Sequence, residues 1–156
     1  MKTRFSFRFT ALVACLAIAI TFLTASQSMA KPGWLTDYAA AVAQSKKENR
    51  PILIDFTGSD WCPWCVKMDK DVFSQAAFKT FAKSNLVLFE ADFPRGGSQS
   101  AAVKKQNAEL QAKFGVEGFP TTILVGVDGK EIARNGGYVP GGPSAFINWV
   151  QTSTKK

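Results

Sequence analysis

Along this 156-residue chain, apolar and polar positions fall into a few distinct rhythms. "GWLTDYAAAVAQSKKENR" (Gly33 to Arg50) sets Trp34, Leu35, Tyr38, Ala41 and Val42 at helical spacing, and Pro51 forbids continuation. "PILIDF" (Pro51 to Phe56) is almost wholly apolar, which predicts a short strand buried on both faces. "WCPWCVKMDKDVFSQAAFKTFAKSN" has helical periodicity with a possible break near Phe73 and Ser74, and predicts one long or kinked helix from about Cys62 to Lys83. "LVLFEAD" (Leu86 to Asp92) reads as a second apolar strand and "FPRGGSQS" as a loop. "AAVKKQNAELQAKFG" reads as a helix closed by Gly115. "FPTTILVGVDGKEIAR" (Phe119 to Arg134) is two β-like runs around Asp-Gly, a hairpin signal. "NGGYVPGG" reads as a loop. A last helix opens near Pro143, with Ala145, Phe146, Trp149 and Val150 on its apolar face. The order helix, strand, helix, strand, helix, hairpin, helix predicts an α/β chain with one central mixed sheet flanked by helices.

The first thirty residues read differently. A basic head carrying Lys2, Arg4 and Arg8 precedes an apolar run from Ala11 to Leu23, and small residues ending in "SMA" (Ser28 to Ala30) follow. That order predicts a secretory signal peptide over residues 1–30, cleaved after Ala30. The apolar run is shorter than the roughly 18 residues expected of a membrane span. "LVAC" (Leu12 to Cys15) superficially matches a lipidation box, but the apolar run continues past Cys15. Residues 31–156 then suffice for one domain with one core. The expected localisation is periplasmic or otherwise exported, without stable membrane insertion after cleavage.

Composition narrows the chemistry. Of 19 basic residues against 12 acids, three belong to the leader, so the remainder has only a small positive balance. The "KK" pairs at 46–47, 104–105 and 155–156 read as solvated faces and a tail, and nucleic acid is not an expected partner. The chain has no histidine. That excludes serine–histidine and cysteine–histidine nucleophiles and removes the commonest transition-metal ligand.

Without the leader and its Cys15, two cysteines remain, both in "TGSDWCPWCVKMD" (Thr57 to Asp69). Cys62 and Cys65 fit a zinc site, a structural staple or a redox couple. Structural zinc wants four ligands, and the chain offers two thiolates and no imidazole. A disulfide closing about four residues restrains the unfolded chain by only ~2 kcal/mol, against ~3 kcal/mol for a fifteen-residue loop. A redox couple suits the surroundings: if Cys62 starts a helix, unpaired N–H groups there favour its thiolate. Cys65 then lies a turn inward, better shielded and placed to resolve. Pro63 suits the first turn because it needs no N–H there. Asp55 is out of place in its apolar strand unless it has a partner or a task.

These residues resemble the thioredoxin superfamily over about Trp34 to Val150. "ILIDFTGSDWCPWC" resembles the strand–turn–redox-helix segment, "FGVEGFPTTILVGVDGKEI" the proline segment before the hairpin, and "AFINWVQ" the final helix. The likeness is to exported thioredoxin-like proteins that begin with a helix, and it implies a thioredoxin-like fold whose usual first strand is absent. It further implies that Phe119–Pro120 is cis, with Pro120 beside the sulfurs and the Phe119 backbone available to an extended client. Asp55 matches the family's buried acid, which takes and returns the inner thiol's proton. One more residue separates that acid from the first cysteine than in ordinary thioredoxin. The lysine that partners the acid there is replaced by an apolar residue near Leu88.

The implied activity is thiol–disulfide exchange with client proteins bearing thiols or disulfides, through a redox-active Cys62–Cys65 disulfide and with no other cofactor and no metal. Trp61, Pro63, Trp64, Phe119 and Pro120 form the expected client-binding surface, with Trp64 the better contact and Trp61 the more buried; Trp34 and Trp149 are expected in the core. The reducing direction, recharged by a membrane electron donor, is favoured. The competing class is a client-binding module or chaperone with a non-catalytic disulfide.

Overall fold

The computed structural model describes residues 31–96 and 99–155. The expected signal peptide and its cleavage point after Ala30 lie outside the described residues. Five helices and four strands follow one another: α1 Tyr38–Glu48, β1 Ile52–Thr57, α2 Pro63–Met68, α3 Ala76–Asn85, β2 Val87–Asp92, α4 Ala101–Lys113, β3 Thr121–Val125, β4 Glu131–Gly136 and α5 Gly142–Ser153. The strands form one sheet in the order β2-β1-β3-β4. β1 runs parallel to β2 and antiparallel to β3, and β3 is antiparallel to β4. The mixed sheet flanked by helices is the predicted class.

Both faces of the sheet are covered, which is why β1 is buried at every position. Side chains alternate between faces along a strand. Ile52, Ile54, Phe56, Phe89, Ile123 and Val125 pack with residues of α1 and α4. Leu53 and Leu124 point the other way, against Met68 of α2, Phe73 between α2 and α3, Phe78 of α3, and Phe146 and Val150 of α5. Trp34 is buried against Phe73, whereas Trp149 is only half-buried and packs on Phe146.

Three local expectations change. The first helix starts at Tyr38 rather than Gly33, because Asp37 accepts hydrogen bonds from the Ala39 and Ala40 N–H groups and so caps it. Freed from that helix, Leu35 makes a single parallel bridge to Phe89, with its N–H donating to Leu88 and its carbonyl accepting from Glu90. The family's first strand is thus reduced to one bridge. The helix from Cys62 takes the kinked form, interrupted near Phe73 and Ser74 as expected, but the interruption begins earlier: α2 ends at Met68, a π-helical turn spans Asp69–Phe73, and Gln75 is extended before α3. The wider turn sets neighbouring Val72 and Phe73 both into the core, and the Ser74 hydroxyl donates to Asp69 at its end. Finally, β4 runs on through Asn135 and Gly136, which pair with Thr122 and Thr121, so the start of the expected loop is strand. The Asp-Gly turn is as expected, with Gly129 at φ 80°, where a side chain would be strained.

Phe146 is fully buried and meets the rings of Phe73, Phe78 and Trp149. Phe146→Ala is expected to destabilise the fold by about 3–5 kcal/mol, measured as a lowered urea midpoint at unchanged slope.

Candidate active site

The site grows from the end of β1. The turn Thr57–Trp61 folds so that the N–H groups of Trp61 and Cys62 both donate to the Gly58 carbonyl. Gly58 lies directly under the Trp61 indole, and a Cβ there would come 2.4 Å from the ring. The turn is tied down at two further points. Ser59 donates through its N–H and its hydroxyl to Asp92, at 2.9 and 2.7 Å. The Asp60 carboxylate accepts from the Arg95 and Gly96 N–H groups, and these bonds hold its pKa below the ordinary range.

Cys62 is the N-cap of α2, and Pro63 occupies the first turn, where its missing N–H costs nothing. Cys62 and Cys65 are disulfide-bonded, with Cα atoms 5.2 Å apart, and Cys62 Sγ accepts from the Cys65 N–H at 3.2 Å. Their exposures are 5% and 4%, so accessibility does not separate an outer from an inner sulfur in this disulfide state. Two cavities flank this segment of the chain. On one side lies a shallow apolar groove of about 400 Å³ lined by Trp64, Phe119, Pro120, Gly137, Tyr138 and Pro140. The Phe119–Pro120 peptide bond is cis. Trp64 is 57% exposed and its ring lies 5.6 Å from that of Tyr138. Trp61 is half-buried, donates to the Phe93 carbonyl at 2.7 Å, and meets Phe119 edge-on.

Sequence reasoning missed Tyr138, whose hydroxyl donates to Asp71 at 2.8 Å while Lys67 donates to the same carboxylate. It sits among glycines and prolines that read only as loop punctuation.

On the other side, Cys65 lines a smaller cavity of about 170 Å³ together with Lys31, Thr57, Ser59, Val66 and Asp69. Asp55 is buried on β1. Its cation comes not from β2, where Leu88 stands, but from Lys31. The Lys31 ammonium lies 3.0 Å from Asp55, 3.1 Å from Asp69 and 3.1 Å from Glu90. Lys31, Asp69 and Glu90 were also missed: Lys31 adjoins the expected leader, and Glu90 reads as one polar residue in an apolar run. Burial raises the pKa of Asp55, and Lys31 offsets this only in part; Glu90 is raised in the same way, with the charge of Asp55 adding to it. Burial alone would lower Lys31, but the three carboxylates outweigh it and hold the ammonium above its ordinary value.

The polar residues also form a row. Glu90, Asp55, Thr122 and Asn135 are register partners across all four strands, and partners so paired point to one face. Asp55 Oδ1, Thr122 Oγ1 and Asn135 Nδ2 are buried without a hydrogen-bond partner, and Glu90 Oε1 has only its ion pair with Lys31. Such groups are uncommon in a native interior and ask for a reason.

Comparison with known proteins gives a consistent picture. A family model described as a thioredoxin-like domain matches residues 38–152. The disulfide bond reductase DsbH of Chlamydia pneumoniae is 40% identical over 118 residues, covering 76% of this chain and 70% of that one. The thioredoxin-related protein DsbJ of the same organism is 31% identical over 105 residues, 67% of this chain but only 30% of its own length. A solved structure of a DsbH oxidoreductase superposes with a TM-score of 0.74 at 36% identity, covering 83% of this chain and 92% of that one.

A carboxyl whose pKa is raised by folding contributes stability below its unfolded pKa, about 3.9 for Asp, and that contribution is lost as pH rises through the folded pKa. Asp55→Asn removes the cost of the buried charge and leaves Lys31 with two carboxylates. Its melting temperature is expected to exceed the wild type's at pH 8, with the gap narrowing toward about pH 4. A thermal melt series across pH checks this.

Proposed function

The chain belongs to the thioredoxin-like domain family and is a thiol–disulfide oxidoreductase, and from that premise we propose that it works outside the cytosol as a protein-disulfide reductase. The observation that carries the reading is the Cys62–Cys65 pair at the start of α2, bridged to itself and set between an apolar groove and a charged cavity. The naming of the 40% identical relative as a disulfide bond reductase favours the reducing direction.

In the reduced protein, the Cys62 thiolate attacks one sulfur of a client disulfide. A mixed disulfide forms, and the second client sulfur leaves as a thiolate that takes a proton from water. Cys65 then loses its proton, attacks Cys62 Sγ and expels the remaining client thiolate. Two electrons have passed from the cysteine pair to the client, which ends as two thiols. Trp64, Tyr138, Phe119 and Pro120 receive the apolar residues flanking the client cysteine, while Trp61 and Pro63 frame the attacking sulfur. Asp55 serves as the proton acceptor for Cys65. A membrane-bound dithiol donor returns the pair to the reduced state.

Export rests on residues 1–30, whose basic head, short apolar run and small-residue exit are those of a cleaved leader. Among the described residues no helix is long and apolar enough to cross a membrane. Residues 31–156 are the thioredoxin-like domain of the exported form.

Turnover of insulin reduction with a thiol donor is the test: Cys62→Ser is expected to abolish it, and Cys65→Ser to accumulate mixed disulfides on non-reducing gels. Stoichiometric client binding without turnover would overturn the reading. In an expressing bacterium, the mass of the periplasmic protein is expected to correspond to a chain starting at Lys31.

A further inference from the structure

One lysine among three carboxylates is an unbalanced group, and it lines the same cavity as Cys65. Lys31 shares the 170 Å³ cavity with Cys65 and Asp69, and the same ammonium reaches back to Asp55 and Glu90. Asp55 and Glu90 are direct register partners on adjacent parallel strands, so their carboxyl groups sit side by side in a buried layer. Each meets the lysine through a single oxygen. Asp55 Oδ1 has no hydrogen-bond partner, and Glu90 Oε1 lies 3.1 Å from the ammonium without a directed hydrogen bond. Two buried carboxylates facing one cation cannot both ionise at their ordinary pH, and a shared proton relieves the repulsion.

We propose that Lys31 is a positioning residue for thiol exchange, pinning Asp55 and Glu90 into a coupled carboxyl pair that stores one proton beneath Cys65 and trades it with the Cys65 thiol. The inference rests on the exchange reaction proposed above. In the resolving step the proton passes from Cys65 to the ionised member of the pair. The Cys65 thiolate forms the bond to Cys62 Sγ, and the client thiolate leaves. The stored proton then escapes past Lys31 and Asp69 through the cavity they line.

The raised pKa values of both carboxyls agree with this arrangement. Among the described residues, the titratable and charged groups facing Asp55 are Lys31 from the N-terminal segment, Asp69 from the π-helical turn, Glu90 and Asp92 from β2, and the cysteine pair at the start of α2. β3 contributes only the hydroxyl of Thr122.

The test separates the two chemical steps. Reduced protein is mixed in a stopped-flow instrument with a substoichiometric amount of dithiobis(nitrobenzoate). The first coloured thiolate released reports attack by Cys62, and the second reports resolution by Cys65. Rates are followed from about pH 5 to 9 for the wild type, Lys31→Met, Lys31→Arg and Glu90→Gln, with masses verifying a common N-terminus. Without the ammonium the pair stays protonated to higher pH. Lys31→Met is therefore expected to move the pH profile of the second phase up by about one unit, making resolution near neutrality about tenfold slower. The first phase should move much less. Lys31→Arg should restore the wild-type profile, which a loss of packing would not predict. Glu90→Gln uncouples the pair and should move the second phase to lower pH; it carries the test alone if Lys31→Met does not fold. Wild-type profiles for the second phase in the folded Lys31→Met and Glu90→Gln proteins would overturn the proposal. Absence of any second phase in the wild type would instead overturn the exchange reading beneath it.

Discussion

A carboxylate on a strand buried at every position is the constraint around which this molecule is arranged. β1 is the central parallel strand, covered by α1 and α4 below and by α2, α3 and α5 above. Leaving Asp55 ionised there without a partner would cost several kcal/mol. The fold meets that cost by bringing a cation in from the chain's N-terminal segment, 24 residues away in sequence. That cation is then shared with Glu90 and Asp69. The result is a compact charged layer between the sheet and the redox helix, in an otherwise apolar half of the core. Its geometry depends on the register of β1 with β2, since a slip of one residue would turn Glu90 to the opposite face.

Much of this was legible in the chain itself, for identifiable reasons. "PILIDF" reads as a doubly buried strand because isoleucine-rich runs of that length have few other uses, and Asp55 stands out within it. The hairpin follows from Asp128-Gly129, where Gly129 takes the left-handed conformation. "CPWC" points to redox chemistry because the chain has no histidine and its one other cysteine, Cys15, lies in the expected leader. What escaped is the set of contacts made between elements. The requirement for a cation beside Asp55 is physical, but it does not say which segment supplies it. On β2, near the position where the resemblance implies a lysine, stands Leu88; Lys31 fills the same electrostatic need from outside the sheet. Likewise, Asp37 outcompetes the helical pattern of Trp34 and Leu35 because a cap satisfies two N–H groups at once. The π-helical turn shows in the sequence only as a break in helical periodicity near Phe73 and Ser74, which marks an interruption without giving its form.

The turn between β1 and α2 is held at several points rather than left as a free loop. An untethered loop would let Cys62 wander, and thiol exchange is sensitive to the line of attack. Here Asp92 holds Ser59, Asp60 gathers two N–H groups from the segment after β2, and the Trp61 indole lies on Gly58 with Arg95 4.2 Å above its ring. The turn and the segment after β2 are therefore one unit, and the ends of the two parallel strands are locked together. The sulfur inherits the rigidity of the sheet rather than the freedom of a loop.

The two cysteines differ in their neighbours more than in their exposure. Trp64, held between them in sequence, faces an apolar groove with Phe119, Pro120, Tyr138 and Pro140, while Cys65 faces Lys31 and Asp69. A client disulfide must be received on a surface that displaces water, so that its flanking side chains gain by burial. The resolving thiol must give up a proton, which needs a polar group and a route to solvent. Those demands are incompatible in one place, because an open polar pocket holds a peptide poorly and a dry groove holds a proton poorly. One turn of α2 divides them, with the groove on the side of the hairpin and the charged cavity on the side of β2. The Lys31 ammonium that offsets the burial of Asp55 is also part of the wall of that second compartment.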